Sequence, residues 1–462
     1  MITGEVVYLV KIIAPIQTDM EVSSKSSWTM QADLYHAKRF NPRTKKFDLD
    51  DRKVMFLRKQ NPFLPVQMSN FSGIENSELN QFGWYIFGEP NAKGDIFMVR
   101  AVESRKVTML RTPDQKIPVE TKSCFFSSCR VSSMEDFIED DNFRDERKKK
   151  GKVMVTQLGN NDFKVGDKGF LMHSFGGYAR YDGTNRGLRL PFVGKFNAGH
   201  FSYGQFVIKT CPFTKLPRID IEYFQVYAHT INGIISGRIK YHAYAGSTIR
   251  GWQYRTTISD SLVKLPLFTH RFSFGGVLND TNVMDSLRLE LAVMAGRYRV
   301  GDGLGATLVT PTASCVQDSN QAFFDGLAAI RRRIIDNKAA MKFIEEPRNK
   351  DSDDVKSYSQ LDKFYIRFVL RFVRFSQFRS DWAPEGEKAI HADKYDTIPL
   401  IVYRPTDILK ALITREFVVP RYAYDNLSVF MARRGADTLV LHTAQIGGNN
   451  TLIYPTAPGF DG

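Results

Sequence analysis

Arg218-Ile219-Asp220-Ile221-Glu222-Tyr223-Phe224-Gln225-Val226-Tyr227 commits the middle of this chain to β-structure. Ile219, Ile221 and Tyr223 alternate with Arg218, Asp220 and Glu222, the two-residue period of a strand with one face in a core. Upstream, Gly199-His200-Phe201-Ser202-Tyr203-Gly204-Gln205-Phe206-Val207-Ile208 reads as a second strand. A hairpin turning near residues 213 and 214 pairs the two antiparallel and sets His200 opposite Tyr227. His229 then lies two residues along the same face, within diagonal reach of His200. A slip of one residue brings Glu222 or Ala228 to that face instead.

Further strands surround this pair. Lys152-Val153-Met154-Val155-Thr156 is one, and Val165-Gly166-Asp167-Lys168-Gly169 turns into another that runs to His173. Near the N-terminus, Gly83 to Gly88 and Ile96 to Val102 form a hairpin around the turn Asn91-Ala92-Lys93-Gly94-Asp95. Helical spacing takes over around residues 283 to 297 and from 317 to about 344. Strand-like runs close the chain at residues 438 to 442 and 451 to 454.

These signals give an α+β chain in three parts. Residues 1–132 form a β-rich domain, and residues 133–150 a linker helix, acidic at its start and basic at its end. Residues 151–345 are a central α+β domain holding His200 and Cys315, and residues 346–360 a polar linker. Residues 361–462 make a C-terminal α/β unit, opened by a basic amphipathic helix from Tyr365 to Phe378. Such a helix packs on the preceding domain or lies on a membrane surface.

Chemistry is suggested at Thr310-Pro311-Thr312-Ala313-Ser314-Cys315-Val316-Gln317-Asp318-Ser319-Asn320-Gln321-Ala322. A loop of small residues runs into a cysteine where helical spacing begins. At a helix N-terminus the free N–H groups and the dipole stabilise a thiolate. A cysteine nucleophile also needs an imidazole base, and Gly-flanked His200 suits that role. His229 is the residue to orient it, with Gln225 as the competing choice. The bland alternative is a small buried cysteine in a core.

The bulk numbers set limits. No run approaches the eighteen or so apolar residues a membrane span needs. The first residues read as a strand, without the basic start and long apolar core of a signal peptide. Lys and Arg number 64 against 50 Asp and Glu, a surplus of +14 that favours an anionic partner. The charge is spread along the chain, and no zinc-finger or RNA-binding motif accompanies it, which argues against nucleic acid. A protein complex or an anionic membrane surface remains. Cys124 and Cys129 are too far apart for a zinc knuckle and have no second ligand pair. No cofactor or metal site is expected.

The order of strand histidine, polar residue on the next strand and helix-start cysteine resembles a circularly permuted papain-like arrangement, as in lecithin-retinol acyltransferase-like enzymes. Over residues 80 to 455 the chain is similar to a cyanobacterial family named "predicted Abi (CAAX) family protease". The likeness rests on Gly83 to Gly88, Gly199 to Gly204, Glu222 to His229, Arg297 to Gly303, Ser314 to Ala322 and Gln445 to Asn449. It implies a cyanobacterial or plastid origin. The name also implies an intramembrane peptidase with a Glu-Glu-x-x-x-Arg motif and metal-binding histidines. Here the one such pair, Glu345-Glu346, runs into Pro347-Arg348, which breaks both spacing and helix. The expected activity is therefore a soluble or membrane-peripheral cysteine hydrolase, peptidase or acyltransferase acting through Cys315 and His200. The alternative is a non-catalytic accessory subunit docking to a photosynthetic or membrane assembly.

Overall fold

The computed structural model describes residues 8–16, 21–23, 29–57, 73–117, 153–175, 188–190, 194–196, 199–230, 233–246, 258–279, 281–300, 315–373 and 420–443. The linker helix at 133–150, Cys124, Cys129 and the final strand at 451–454 lie outside the described residues.

The N-terminal part is a barrel of β1 (Tyr8–Ile16), β3 (Thr29–Arg39), β4 (Asp51–Leu57), β5 (Trp84–Pro90) and β6 (Ile96–Ser104), with the short β2 (Glu21–Ser23) added to β3. β1 pairs with both β3 and β5, so the ring closes. The one parallel contact in the ring is β4 with β6. Leaving β2 aside, this is the strand order of the five-stranded Greek-key barrel known as the oligonucleotide/oligosaccharide-binding fold. Strand order alone assigns no ligand. A bulge between Ile12 and Ala14 bends β1 so that it can serve two neighbours. Buried Asn80 holds that strand: its side chain accepts from the Ile12 N–H and donates to the Ile12 carbonyl, and Trp84 Nε1 donates to its Oδ1 at 3.0 Å. The β5–β6 hairpin forms as its turn residues require, with Gly94 at φ 74°.

The second part is an eight-stranded sheet in the order β14-β13-β12-β9-β15-β16-β8-β7. In chain order these are β7 (Gln115–Ile117), β8 (Val153–Leu158), β9 (Lys168–Phe175), β12 (His200–Thr210), β13 (Pro217–Thr230), β14 (Gly233–Lys240), β15 (Ile258–Lys264) and β16 (Asp437–Thr443). The short strands β10 (Leu188–Leu190) and β11 (Gly194–Phe196) pair only with each other. β12 and β13 pair Tyr203 with Phe224 through Thr210 with Pro217, the register expected of a turn at 213–214.

One face of the sheet carries helices α1 (Val283–Val300), α2 (Cys315–Ile335), α3 (Lys338–Glu345), α4 (Asp353–Phe368) and α5 (Pro420–Ala432). Phe170, Phe201 and Tyr203 of the sheet pack there with Phe323, Phe364 and Phe430 of the helices. The barrel covers the other face. Val10, Trp84 and Val102 share one core with Leu171, Phe206 and Tyr223.

Two divisions expected from the sequence change. Residues 346–360 are not a linker: Ser352 caps α4 by accepting from the Val355 N–H, and Asp354 accepts from the Phe274 N–H at 2.6 Å. Nor do the described residues of the C-terminal stretch, 361–373 and 420–443, stand apart from the central domain. β16 lies between β15 and β8 in the central sheet, and every residue along it is buried. A strand covered on both faces needs neighbours on both edges, and those come from far upstream. The helix expected from Tyr365 begins earlier, at Asp353, and packs Leu361, Phe364, Phe368 and Phe372 inward.

The barrel is tied down by charge as well as by apolar area. Buried Glu103 of β6 accepts from Arg218 of β13 at 2.6 and 3.0 Å, and that guanidinium lies 4.3 Å from the ring centre of Tyr85. Beside them His242 stacks on Phe87, centres 3.6 Å apart. Burial and the Arg218 charge push the His242 ring down to about 4. Its folded value lies below its unfolded value near 6.5, so the unfolded chain binds the extra proton between those limits. Stability is therefore full above about pH 6.5 and falls as the pH drops toward 4, by roughly 3 kcal/mol from this group. His242→Phe keeps a stacked ring and should flatten that part of a stability-against-pH curve measured by urea unfolding.

Candidate functional site

β15 runs Ile258-Ser259-Asp260-Ser261-Leu262 through the middle of the sheet, and its alternation sends polar groups to both faces. Cross-strand register puts Phe201, Ser174, Ser259, His442 and Met154 in one row on the helix side. The next row, Ser202, His173, Asp260, Leu441 and Val155, faces the barrel.

On the helix side, α2 and α5 begin at the same end of the sheet. Arg421, in the first turn of α5, donates through Nη1 to Ser259 Oγ at 2.8 Å. Ser259 Oγ lies 3.0 Å from His442 Nδ1. With Arg421 donating, the hydroxyl is free to donate its own proton to the histidine. Asp425 holds Arg421 in place, 3.2 Å from its Nε. One row further in, Ser261 Oγ and Tyr424 Oη bond at 2.5 Å, and Tyr203 Oη donates to Asn320 Oδ1 at 2.5 Å. A hydroxyl, an imidazole and a guanidinium thus meet in one buried chain, with Ser259 wholly inside the protein.

Cys315 opens α2 at this same end, where helical spacing placed it. It is half-buried as a residue, yet its sulfur lies deep among protein atoms. Burial pushes the thiol up to about 12; the N–H of Phe201 offsets part of that, and Asp318 adds to the rise. The helix start does not yield the stabilised thiolate expected from the sequence, because desolvation and a carboxylate in the first turn outweigh the dipole. Cys315 packs with Phe201 in the helix-side core. His200 points the other way: it shares a face with His173, ring centres 6.3 Å apart. The pleat that turns Phe201 toward the helices turns His200 toward the barrel, so the structure does not bring the expected pair onto one face. The His229 backbone lies in β13, and its side chain falls outside the described residues. The ladder of β13 with β14 is irregular between Tyr227 and Thr230.

On the barrel side, His173 Nδ1 is 2.7 Å from Asp260 Oδ1, and Nε2 is 3.2 Å from Tyr244 Oη. Tyr223 Oη donates to Asp260 Oδ2 at 2.9 Å. Burial, with Asp260 adding to it, holds the Tyr223 hydroxyl well above its ordinary range and so protonated. All four side chains are sealed between sheet and barrel.

The described thiol that moves toward the thiolate is Cys211, in the turn between β12 and β13. Burial pushes it up, but hydrogen bonds from the hydroxyls of Thr214 and Tyr85 and from the Thr214 and Phe213 N–H groups outweigh this and lower it. Tyr85 Oη is 3.2 Å from the sulfur. At 1% exposure it anchors the turn to the barrel rather than meeting solvent.

Sequence reasoning missed Ser259, Asp260, His442, Arg421 and His173. One signal was available: three polar residues in succession, Ser259 to Ser261, in a strand that also carries Ile258, Leu262 and Val263. Among the described residues no three of His, Cys, Asp and Glu come together in a way that could hold a metal. Comparison with family models, with curated proteins and with solved structures found no match to this chain.

Proposed function

We propose that this chain is a non-catalytic accessory protein that docks through a basic surface onto a larger assembly, and that it does not act as a cysteine hydrolase or acyltransferase. The observation that carries this reading is the placement of Cys315 and His200 toward opposite faces of the sheet, with the thiol held protonated. The surplus of +14 supports it, because a surface of that sign attracts anionic partners. The kinship with the cyanobacterial family belongs to the same proposal, without the intramembrane chemistry: no described helix is long and apolar enough to cross a membrane.

Thiol labelling tests it. A thiol at about 12 carries on the order of a thousandfold less thiolate near neutral pH than an ordinary one at about 8.5. Iodoacetamide at pH 7 should therefore modify Cys315 at least a hundredfold more slowly than a free-thiol control. Labelling of Cys315 faster than the control, slowed by His200→Ala, restores the hydrolase.

A second reading rests on the Ser259–His442 contact under Arg421, a nucleophile and base within hydrogen-bond reach. A fluorophosphonate probe that modifies Ser259 in the wild type and not in His442→Ala would establish a serine-dependent hydrolase instead.

A further inference from the structure

α4 runs on into a wider, π-helical turn at Val369–Val373 that prolongs the same rod, and its outer face carries two kinds of side chain in alternation. Ile366 and Leu370 are 45% and 54% exposed, one turn apart. Arg367 and Arg371 stand beside them and are also exposed. The end of α5 adds exposed Arg433 and, half-buried, Arg434. Asn426 of α5 accepts from Arg371 Nη2 at 3.0 Å, which fixes the two helices side by side. The guanidinium of Arg434 rests 3.2 Å from the ring centre of Phe430. Burial, and then the charges of Arg367, Arg371 and Arg433, push it down to about 9. The charges of Arg367, Arg371 and Arg433 thus bear on Arg434, at a surface that also exposes branched aliphatic side chains.

We propose that this face, Ile366, Arg367, Leu370 and Arg371 of the α4 rod with Arg433 and Arg434 of α5, docks on the surface of an anionic phospholipid bilayer. The inference rests on the docking reading above and names its surface and partner. The charge calls for an anion, and the repulsion that Arg434 feels from its three arginine neighbours is relieved when headgroup phosphates come between them. The two aliphatic side chains separate a bilayer from other anions. Nucleic acid offers phosphates and stacking bases, which reward aromatic side chains at the centre of a basic patch. A bilayer accepts Ile and Leu below its headgroups while arginine stays at the phosphate level.

The test is co-sedimentation of the full chain with vesicles of phosphatidylcholine alone and of phosphatidylcholine with phosphatidylserine. The wild type should bind the serine-containing vesicles and lose them as salt rises. Arg367→Gln with Arg371→Gln should weaken binding by roughly 30-fold, two surface charges' worth. Ile366→Ser with Leu370→Ser should weaken vesicle binding by roughly tenfold and leave retention on a soluble polyanion, poly-glutamate or a single-stranded RNA, unchanged. Ile366 and Leu370 are exposed, so their variant should keep the wild-type urea midpoint, and the arginine variant, which gives up one exposed hydrogen bond from Arg371 to Asn426, should stay within about 1 kcal/mol of the wild type. If serine-containing vesicles are not bound at low salt, or the aliphatic variant binds them like the wild type, the bilayer proposal falls. Polyanion binding that depends on the same arginines would then keep the docking reading, and loss of both would remove that too.

Discussion

Asp260→Ala should lower the unfolding free energy by roughly 3–5 kcal/mol, the cost of removing one partner from a buried hydrogen-bonded pair. The carboxylate accepts from Tyr223 at 2.9 Å and bonds His173 at 2.7 Å, and His173 reaches Tyr244 at 3.2 Å. His173 and Asp260 are 0% exposed. Truncation therefore strands an imidazole nitrogen and a phenol where water does not reach, each at a cost of about 1–3 kcal/mol. Asp260→Asn keeps the shape and one acceptor and should lose roughly half as much. Urea unfolding followed by far-UV circular dichroism reads the effect, as a lower midpoint at unchanged slope. A loss under about 1 kcal/mol for the alanine variant would mean that the network is hydrated and not sealed between sheet and barrel. Ser259→Ala, one residue away on the opposite face, removes a hydroxyl bonded to Arg421 and His442 and serves as the comparison.

Local order was legible in the sequence wherever partners are close along the chain. The hairpin of β12 and β13 follows from alternation and a short turn, the β5–β6 hairpin from Asn91 and Gly94, and the start of α2 from the small residues before Cys315. The α+β class follows from the same signals. What could not be read is contact across long separations. β15 meets β16 across a sequence gap of some 180 residues, pairing Ser259 with His442, and only this crossing assembles the polar row on the helix side. The expected pairing of His200 with Cys315 failed for a related reason. Spacing tells that a strand alternates, but which face meets a distant helix depends on Phe201 and Tyr203 winning the core side. Desolvation of the Cys315 sulfur is likewise a property of the folded packing and has no local signature.

Gly246→Ala should be comparably damaging, at about 3 kcal/mol or more, because it acts where the barrel meets the sheet. Gly246 follows the short helix Tyr241–Ala245, and its carbonyl accepts from the Val102 N–H of β6 at 2.8 Å. A Cβ there would lie 1.6 Å from the Val102 carbonyl oxygen and 2.8 Å from its carbon. The obstacle is strand backbone, which cannot rotate aside as a side chain can. The barrel strand must retreat, losing that hydrogen bond and loosening Val102 against Tyr241 and Tyr244 in the shared core. Overpacking costs about 1–3 kcal/mol, and an unmade buried hydrogen bond a further 1–3 kcal/mol. Gly237→Ala in β14 is the control: a Cβ there meets nothing within 4 Å, so its urea midpoint should match the wild type. The Gly246 variant should also weaken the Glu103–Arg218 and His242–Phe87 contacts at the same junction. Proteolysis should then cut between barrel and sheet sooner than in the wild type. An unchanged midpoint and an unchanged digestion pattern would show that the barrel rides on the sheet without close backbone contact at Val102.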